Sequence, residues 1–171
     1  KFDLEAELRG AIESGQIVAH YQPQQCTKTG KLAGLEALAR WIRPDGSVVP
    51  PSDFVPLSEE MGISDIFFES IMRAVCNDVA RWREDGGWDV PVSVNLSAHQ
   101  LRNRDLVSLI KGVLSSTQVD RKLINLELTE TVLLEERFTP PRESELPDLI
   151  GAVPDEAAKL VDLLIDEGKV V

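Results

Sequence analysis

The chain has 171 residues, 43% of them hydrophobic and 27% charged, a profile that supports one globular domain with a sizeable core. A formal net charge of -11 excludes a general nucleic-acid binder, which needs a basic footprint, but leaves room for a small anion held by a local arginine or a bound cation. No apolar run approaches the roughly 18 residues of a membrane span, so no transmembrane segment is expected.

The chain opens on Lys1-Phe2-Asp3-Leu4, without an initiator methionine or an apolar signal region, which predicts a cut inside a longer polypeptide. Asp3 to Ser14 reads as a helix because Leu4, Leu8, Ala11 and Ile12 share a face, and Gly15 closes it. Ile17 to Tyr21 is a short apolar strand. Lys28 to Lys31 is turn chemistry, and Leu32 to Leu38 is a second strand. After a turn at Pro44-Asp45-Gly46, Ser52 is expected to cap a helix through Met61, and Ser64 a longer one to Glu84. The buried stripe predicted for the longer helix contains Ile66, Phe67, Ile71, Ala74, Val75 and Val79.

Val90 to Leu96 is a third strand, His99 to Ser115 is rich in helix, and Leu123 to Leu128 is a fourth strand. Four rounds of strand and helix predict parallel strands with helices outside them. Beyond Glu135 the pattern changes: Thr139 to Glu145 reads as a loop and Pro154 to Glu167 as an amphipathic helix. From Glu135 onward ten acidic residues face four basic ones, so the tail carries much of the negative charge. Cys26 and Cys76 lack CxxC spacing and are expected to be reduced thiols of a cytoplasmic protein.

Polar residues interrupt three apolar strands. Glu36 and Arg40 lie four residues apart on one strand and so point to one side. Asn95 lies near the end of the next strand and Glu127 near the end of the last. A buried carboxylate needs a partner, and two solutions are open. The glutamates pair with Arg40 or a lysine in the core, or the three oxygen-bearing residues converge on a hard cation such as Mg²⁺ or Mn²⁺. His20 and His99 read as structural or surface residues, and Trp41, Trp82 and Trp88 as packing residues.

Five motifs stand in a recognisable order: Tyr21-Gln22-Pro23; Glu36-Ala37-Leu38 with Arg40-Trp41; Pro50 with Asp53-Phe54-Val55-Pro56; Asn95-Leu96-Ser97 with Gln100; and Glu127-Leu128-Thr129-Glu130. Together they resemble the front half of an EAL domain, a TIM-type barrel that cuts cyclic di-GMP to a linear dinucleotide with two divalent ions. The resemblance implies that Glu36, Asn95 and Glu127 are metal ligands. It implies that Gln22, Leu38 and Arg40 contact the nucleotide and that Glu130 supports the site. The family continues into a DDFGTG motif, whose aspartates hold both ions, and a KID motif, whose lysine helps activate water. Residues 136–171 contain neither.

The expectation is therefore an α/β fold: an incomplete TIM-type barrel at 1–135, with about four parallel strands and outer helices, then an acidic tail at 136–171. Such a half-barrel exposes strand edges, which the terminal helix, a second copy or the rest of a longer chain would cover. A signalling module that binds cyclic di-GMP or a partner is the expected function. An active phosphodiesterase completed by a missing segment or by oligomerisation is the alternative, and a non-functional remnant the third reading.

Overall fold

The computed structural model of the chain describes residues 2–101, 103 and 105–128. Helix α1 (Phe2–Glu13) leads into strand β1 (Ile17–Gln25), which is followed by β2 (Leu32–Ile42) and the short β3 (Val48–Val49). Helices α2 (Pro51–Glu60) and α3 (Ser64–Gly86) come next, then β4 (Val92–Leu96), α4 (Ala98–Leu101), α5 (Leu106–Thr117), one 3₁₀ turn (Arg121–Leu123) and β5 (Ile124–Leu128). The sheet runs β1-β2-β4-β5, with β3 on β2. The predicted tail loop and tail helix, and Glu130, lie outside the described residues.

Strands β2, β4 and β5 are parallel, and helix-bearing connections separate them, as an α/β barrel requires. The expected fourth parallel strand is not parallel. β1 runs antiparallel to β2, with Ile17 opposite Trp41 and Gln22 opposite Glu36. The reason is length: residues 26–31 can close a hairpin, whereas a parallel crossover needs a dozen or more residues. Both strands outrun their apolar stretches, because the ladder between them, not hydrophobicity, sets their ends.

Two predicted helix caps are also corrected. α2 begins at Pro51 after Pro50, and neither it nor α3 has a side-chain cap at its start. Proline's fixed φ suits a first helical turn without Ser52's help. Ser64 is the first residue of α3, with Ile63 before it, and its hydroxyl is committed elsewhere. At the other end Gly87 takes φ 67°, and its N–H bonds the carbonyl of Arg83, so the helix ends where a left-handed residue is cheapest.

The buried line of α3 is Phe67, Phe68, Ile71, Met72, Val75, Cys76 and Val79, packed in one core with Leu35, Ala37, Val92 and Val94 of the sheet. Ile66, expected in that stripe, is half exposed. One residue along a helix is a turn of about 100°, enough to move a side chain out of the contact line. Trp41 is 0% exposed; its ring meets Phe54 edge-on at 5.9 Å and its indole N–H donates to Gln16 Oε1 at 3.2 Å. Trp82 lies between Tyr21 and Trp88, with ring centroids 4.7 and 5.4 Å away, so all three tryptophans pack. Among the described residues no helix is long and apolar enough to cross a membrane.

Both cysteines are free. Burial pushes the Cys76 thiol up to about 11, while hydrogen bonds from Thr29, and from the Lys28 backbone, hold Cys26 below the usual thiol value. Because the thiolate is the nucleophile, a maleimide at neutral pH is expected to label Cys26 in the folded chain and Cys76 only in denaturant. Equal labelling of both in mass spectrometry contradicts this packing. Replacing Trp41 by alanine is expected to cost about 3–5 kcal/mol in urea unfolding, the range for deleting a fully buried aromatic ring.

Candidate functional site

Side chains alternate across a strand, so burying Leu35, Ala37 and Trp41 beneath the helices leaves Glu36, Leu38 and Arg40 on the opposite face of β2. Register extends that face across the sheet. Gln22 and Ser93 stand opposite Glu36, Asn95 follows Ser93 by two, and Glu127 stands opposite Asn95. The face thus collects Gln22, Glu36, Leu38, Arg40, Asn95 and Glu127 from four strands.

Within it, Asn95 Nδ2 donates to Glu36 Oε1 at 2.9 Å. Glu36 is half-buried, and this amide, rather than Arg40 or a lysine, is its partner. Glu127 is exposed, since β5 is the last strand of the described sheet, so the need for a buried counter-charge does not arise there. Arg40 Nη1 donates to the Ala39 carbonyl at 2.8 Å and, among the described residues, pairs with no carboxylate. Its guanidinium therefore still has donors to offer an anion.

A cleft of about 500 Å³ opens at this part of the sheet. Glu36, Leu38, Arg40, Asn95 and Glu127 line it together with Pro51, Val55 and Glu59 of α2, Ser64 and Phe67 of α3, and Gln100. Gln22 lies on the same face but at exposed β1, and is not among the lining residues. The metal expectation can be checked against donor chemistry. Asn95 spends an N–H on Glu36, which leaves its carbonyl oxygen as an acceptor beside two carboxylates; such an all-oxygen set fits a hard divalent cation. Among the described residues no three His, Cys, Asp or Glu side chains group together.

Two features escaped the sequence reading. Asn125, opposite Ser93 on β5, has a buried Oδ1 with no partner among the described residues, and the alternating polar residues of Ile124–Leu128 were the available signal. The second is the long-range contact made by the Ser97–Gln100 turn after Asn95. Gln100 is 5% exposed; its Oε1 accepts from the Ser97 N–H at 2.8 Å and its Nε2 donates to the Ser64 carbonyl at 3.1 Å. Beside it, Ser64 Oγ lies 3.1 Å from Nδ1 of the exposed His99. Only three-dimensional packing brings Ser64 to this turn, so no sequence spacing announces it.

The profile of the EAL domain family matches residues 5–146. The signaling protein YkoW of Bacillus subtilis is 38% identical over 135 residues, covering 79% of this chain and 17% of that protein. The cyclic di-GMP phosphodiesterase PdeR of Escherichia coli is 39% identical over 132 residues, covering 77% of this chain and 20% of that protein. The chain thus spans only about a fifth of these relatives' length. Among solved structures, the PaMucR phosphodiesterase in complex with c-di-GMP superposes with a TM-score of 0.71 at 32% identity, over 79% of this chain and 55% of that one. The FimX EAL domain from Pseudomonas aeruginosa bound to c-di-GMP gives 0.67 at 20% identity, covering 78% of this chain and 52% of that one, a likeness of fold.

The Glu36–Asn95 contact has a measurable consequence without any ligand. Asn95→Leu removes the amide that a half-buried carboxylate relies on, and is expected to cost about 1 kcal/mol in denaturant unfolding. An unchanged midpoint shows instead that water satisfies Glu36 equally well.

Proposed function

This chain belongs to the EAL domain family of cyclic-di-GMP signalling proteins, and from that premise we propose that its cleft binds cyclic di-GMP together with a divalent cation and, as the chain stands, does not hydrolyse it. The observation that carries the reading is the gathering of Glu36, Asn95 and Glu127 on one sheet face beside an arginine with no carboxylate partner among the described residues. EAL phosphodiesterases generally depend on a divalent metal. Here Glu36, Asn95 and Glu127 would hold a Mg²⁺ or Mn²⁺ ion, which when bound supplies Lewis-acid polarisation of a phosphoryl oxygen.

The protein's own side chains supply the rest. Arg40 presents a planar fork to a phosphate, Leu38 offers apolar surface at the same level, and Gln22 approaches from β1. Glu130 is assigned a supporting role beside Glu127. Residues 136–171 carry no Asp-Asp-Phe-Gly and no Lys-Ile-Asp, which supports binding over turnover. The division into a barrel part at 1–135 and an acidic tail at 136–171 belongs to this reading. So does a cytoplasmic location, where the free thiols of Cys26 and Cys76 stay reduced.

The second reading is a phosphodiesterase producing the linear dinucleotide, completed by another segment or another copy. The full trio of oxygen ligands favours it, and so do the outer edges of β1 and β5, unpaired among the described residues, which suit association.

Calorimetry with cyclic di-GMP in Mn²⁺, followed by chromatography of the mixture, tests both. Binding that disappears with a chelator and leaves the dinucleotide intact is the expected result. Glu36→Ala and Glu127→Ala are each expected to lower Mn²⁺ affinity by about tenfold or more, since few ligands remain. Absence of binding in the unmodified chain overturns the nucleotide reading, and a linear product overturns the binding-only reading in favour of the second.

A further inference from the structure

We propose that Gln100 is a positioning residue for the cleft: one amide group fixes the turn that carries Asn95 and, with its other end, the start of α3. The inference rests on the reading of the cleft as an ion and nucleotide site.

Asn95 is the second-last residue of β4, and Ser97 is the first residue beyond that strand. A ligand on a strand end is only as well placed as the turn that follows it. Here the turn is tied twice to the same residue, by the Ser97 N–H to Gln100 Oε1 at 2.8 Å and by the Gln100 N–H to Ser97 Oγ at 3.4 Å. The closure resembles a helix cap at the entry to α4 with the glutamine reaching back, and it satisfies backbone groups that water would otherwise compete for.

The other end of the side chain does something a cap does not. Gln100 Nε2 donates to the carbonyl of Ser64, 36 residues earlier in sequence, at the first residue of α3. Ser64 and Phe67 of α3 line the same cleft as Asn95, and so does Gln100. An amide is suited to this because it joins an acceptor and a donor in one rigid plane. A glutamate at the same position keeps the acceptor for Ser97 but, when ionised, faces the Ser64 carbonyl without a proton to give. Burial of Gln100 at 5% exposure excludes water from replacing either bond freely.

The two halves of the amide therefore serve two halves of the site. The Ser97 bond holds the strand end bearing Asn95, hence the ion. The Ser64 bond holds the start of α3, which lines the same cleft. Glu36 is reached from the same strand end through Asn95 Nδ2, so the influence of Gln100 extends to two of the three proposed ligands.

The test compares the 171-residue chain with Gln100→Ala and Gln100→Glu at pH 8, measuring three quantities: Mn²⁺ affinity alone, cyclic di-GMP affinity in saturating Mn²⁺, and the nitrogen-15 resonances of the Asn95 side-chain amide without ligand. Gln100→Ala is expected to weaken both affinities about tenfold, in the range seen when supports of metal ligands are removed, and to shift or broaden the Asn95 amide signals. Gln100→Glu is expected to keep Mn²⁺ affinity within about twofold and the Asn95 signals in place, while still losing cyclic di-GMP affinity about tenfold. Parallel losses in both variants, or unchanged affinities and signals in Gln100→Ala, overturn the positioning role. If Gln100→Ala fails to fold, the Asn95 side-chain resonances of the isosteric Gln100→Glu decide alone: signals in place support the role and displaced signals overturn it. If the unmodified chain binds no cyclic di-GMP, the functional reading fails, whereas the Asn95 resonances still report on Gln100.

Discussion

The site depends on a single constraint: β2 is paired on both edges, to β1 on one side and β4 on the other, so its side chains have only two directions to point. Leu35, Ala37 and Trp41 take the helix side and are buried there. A shift of register by one residue would send these three to the open face and push Glu36 and Arg40 into the core, at a cost of several kcal/mol for each unpaired charge. The polar face is therefore as strongly specified as the apolar one. What holds Glu36 and Arg40 in place is the burial of their neighbours.

Against that scaffold the electrostatics are economical. A chain of net charge -11 repels a dinucleotide at long range, so affinity for one must come from short-range features. Arg40 is such a feature, and a cation among Glu36, Asn95 and Glu127 would be another. On the proposed reading, the carboxylates that would repel a phosphate in the absence of a cation would instead hold the ion that draws it in. An acidic surface and an anionic ligand are compatible once the sign of the site is set by what occupies it.

Much of this was legible in the sequence, for identifiable reasons. Apolar runs broken by single polar residues place Glu36, Asn95 and Glu127 on strands, and period-two alternation puts Glu36 and Arg40 on one side. What was not legible depended on pairing and on long-range packing. The direction of β1 followed from the brevity of residues 26–31, a length that was visible but whose meaning for strand direction was overridden by the repeating strand–helix pattern. The partner of Glu36 lies 59 residues away, and the partner of the Gln100 amide lies 36 away, distances over which local propensity says nothing. The phase of α3 was off at Ile66 because a helix with apolar residues on several sides has more than one plausible stripe, and only the shape of the sheet beneath it selects among them.

The reversed β1 also bears on the order in which the molecule assembles. Closing residues 26–31 costs less chain entropy than closing residues 43–91 between β2 and β4, by about 2 kcal/mol on the logarithmic scaling of loop length. The hairpin is a local structure that forms on a microsecond scale, while the parallel pairing must wait for two helices to fold between its strands. Glu36 and Gln22 face each other within this hairpin, all of whose residues precede β4 in the chain. Asn95 and then Glu127 are added to that face by strands that come later in the chain, so the site is built outward from the β1–β2 hairpin.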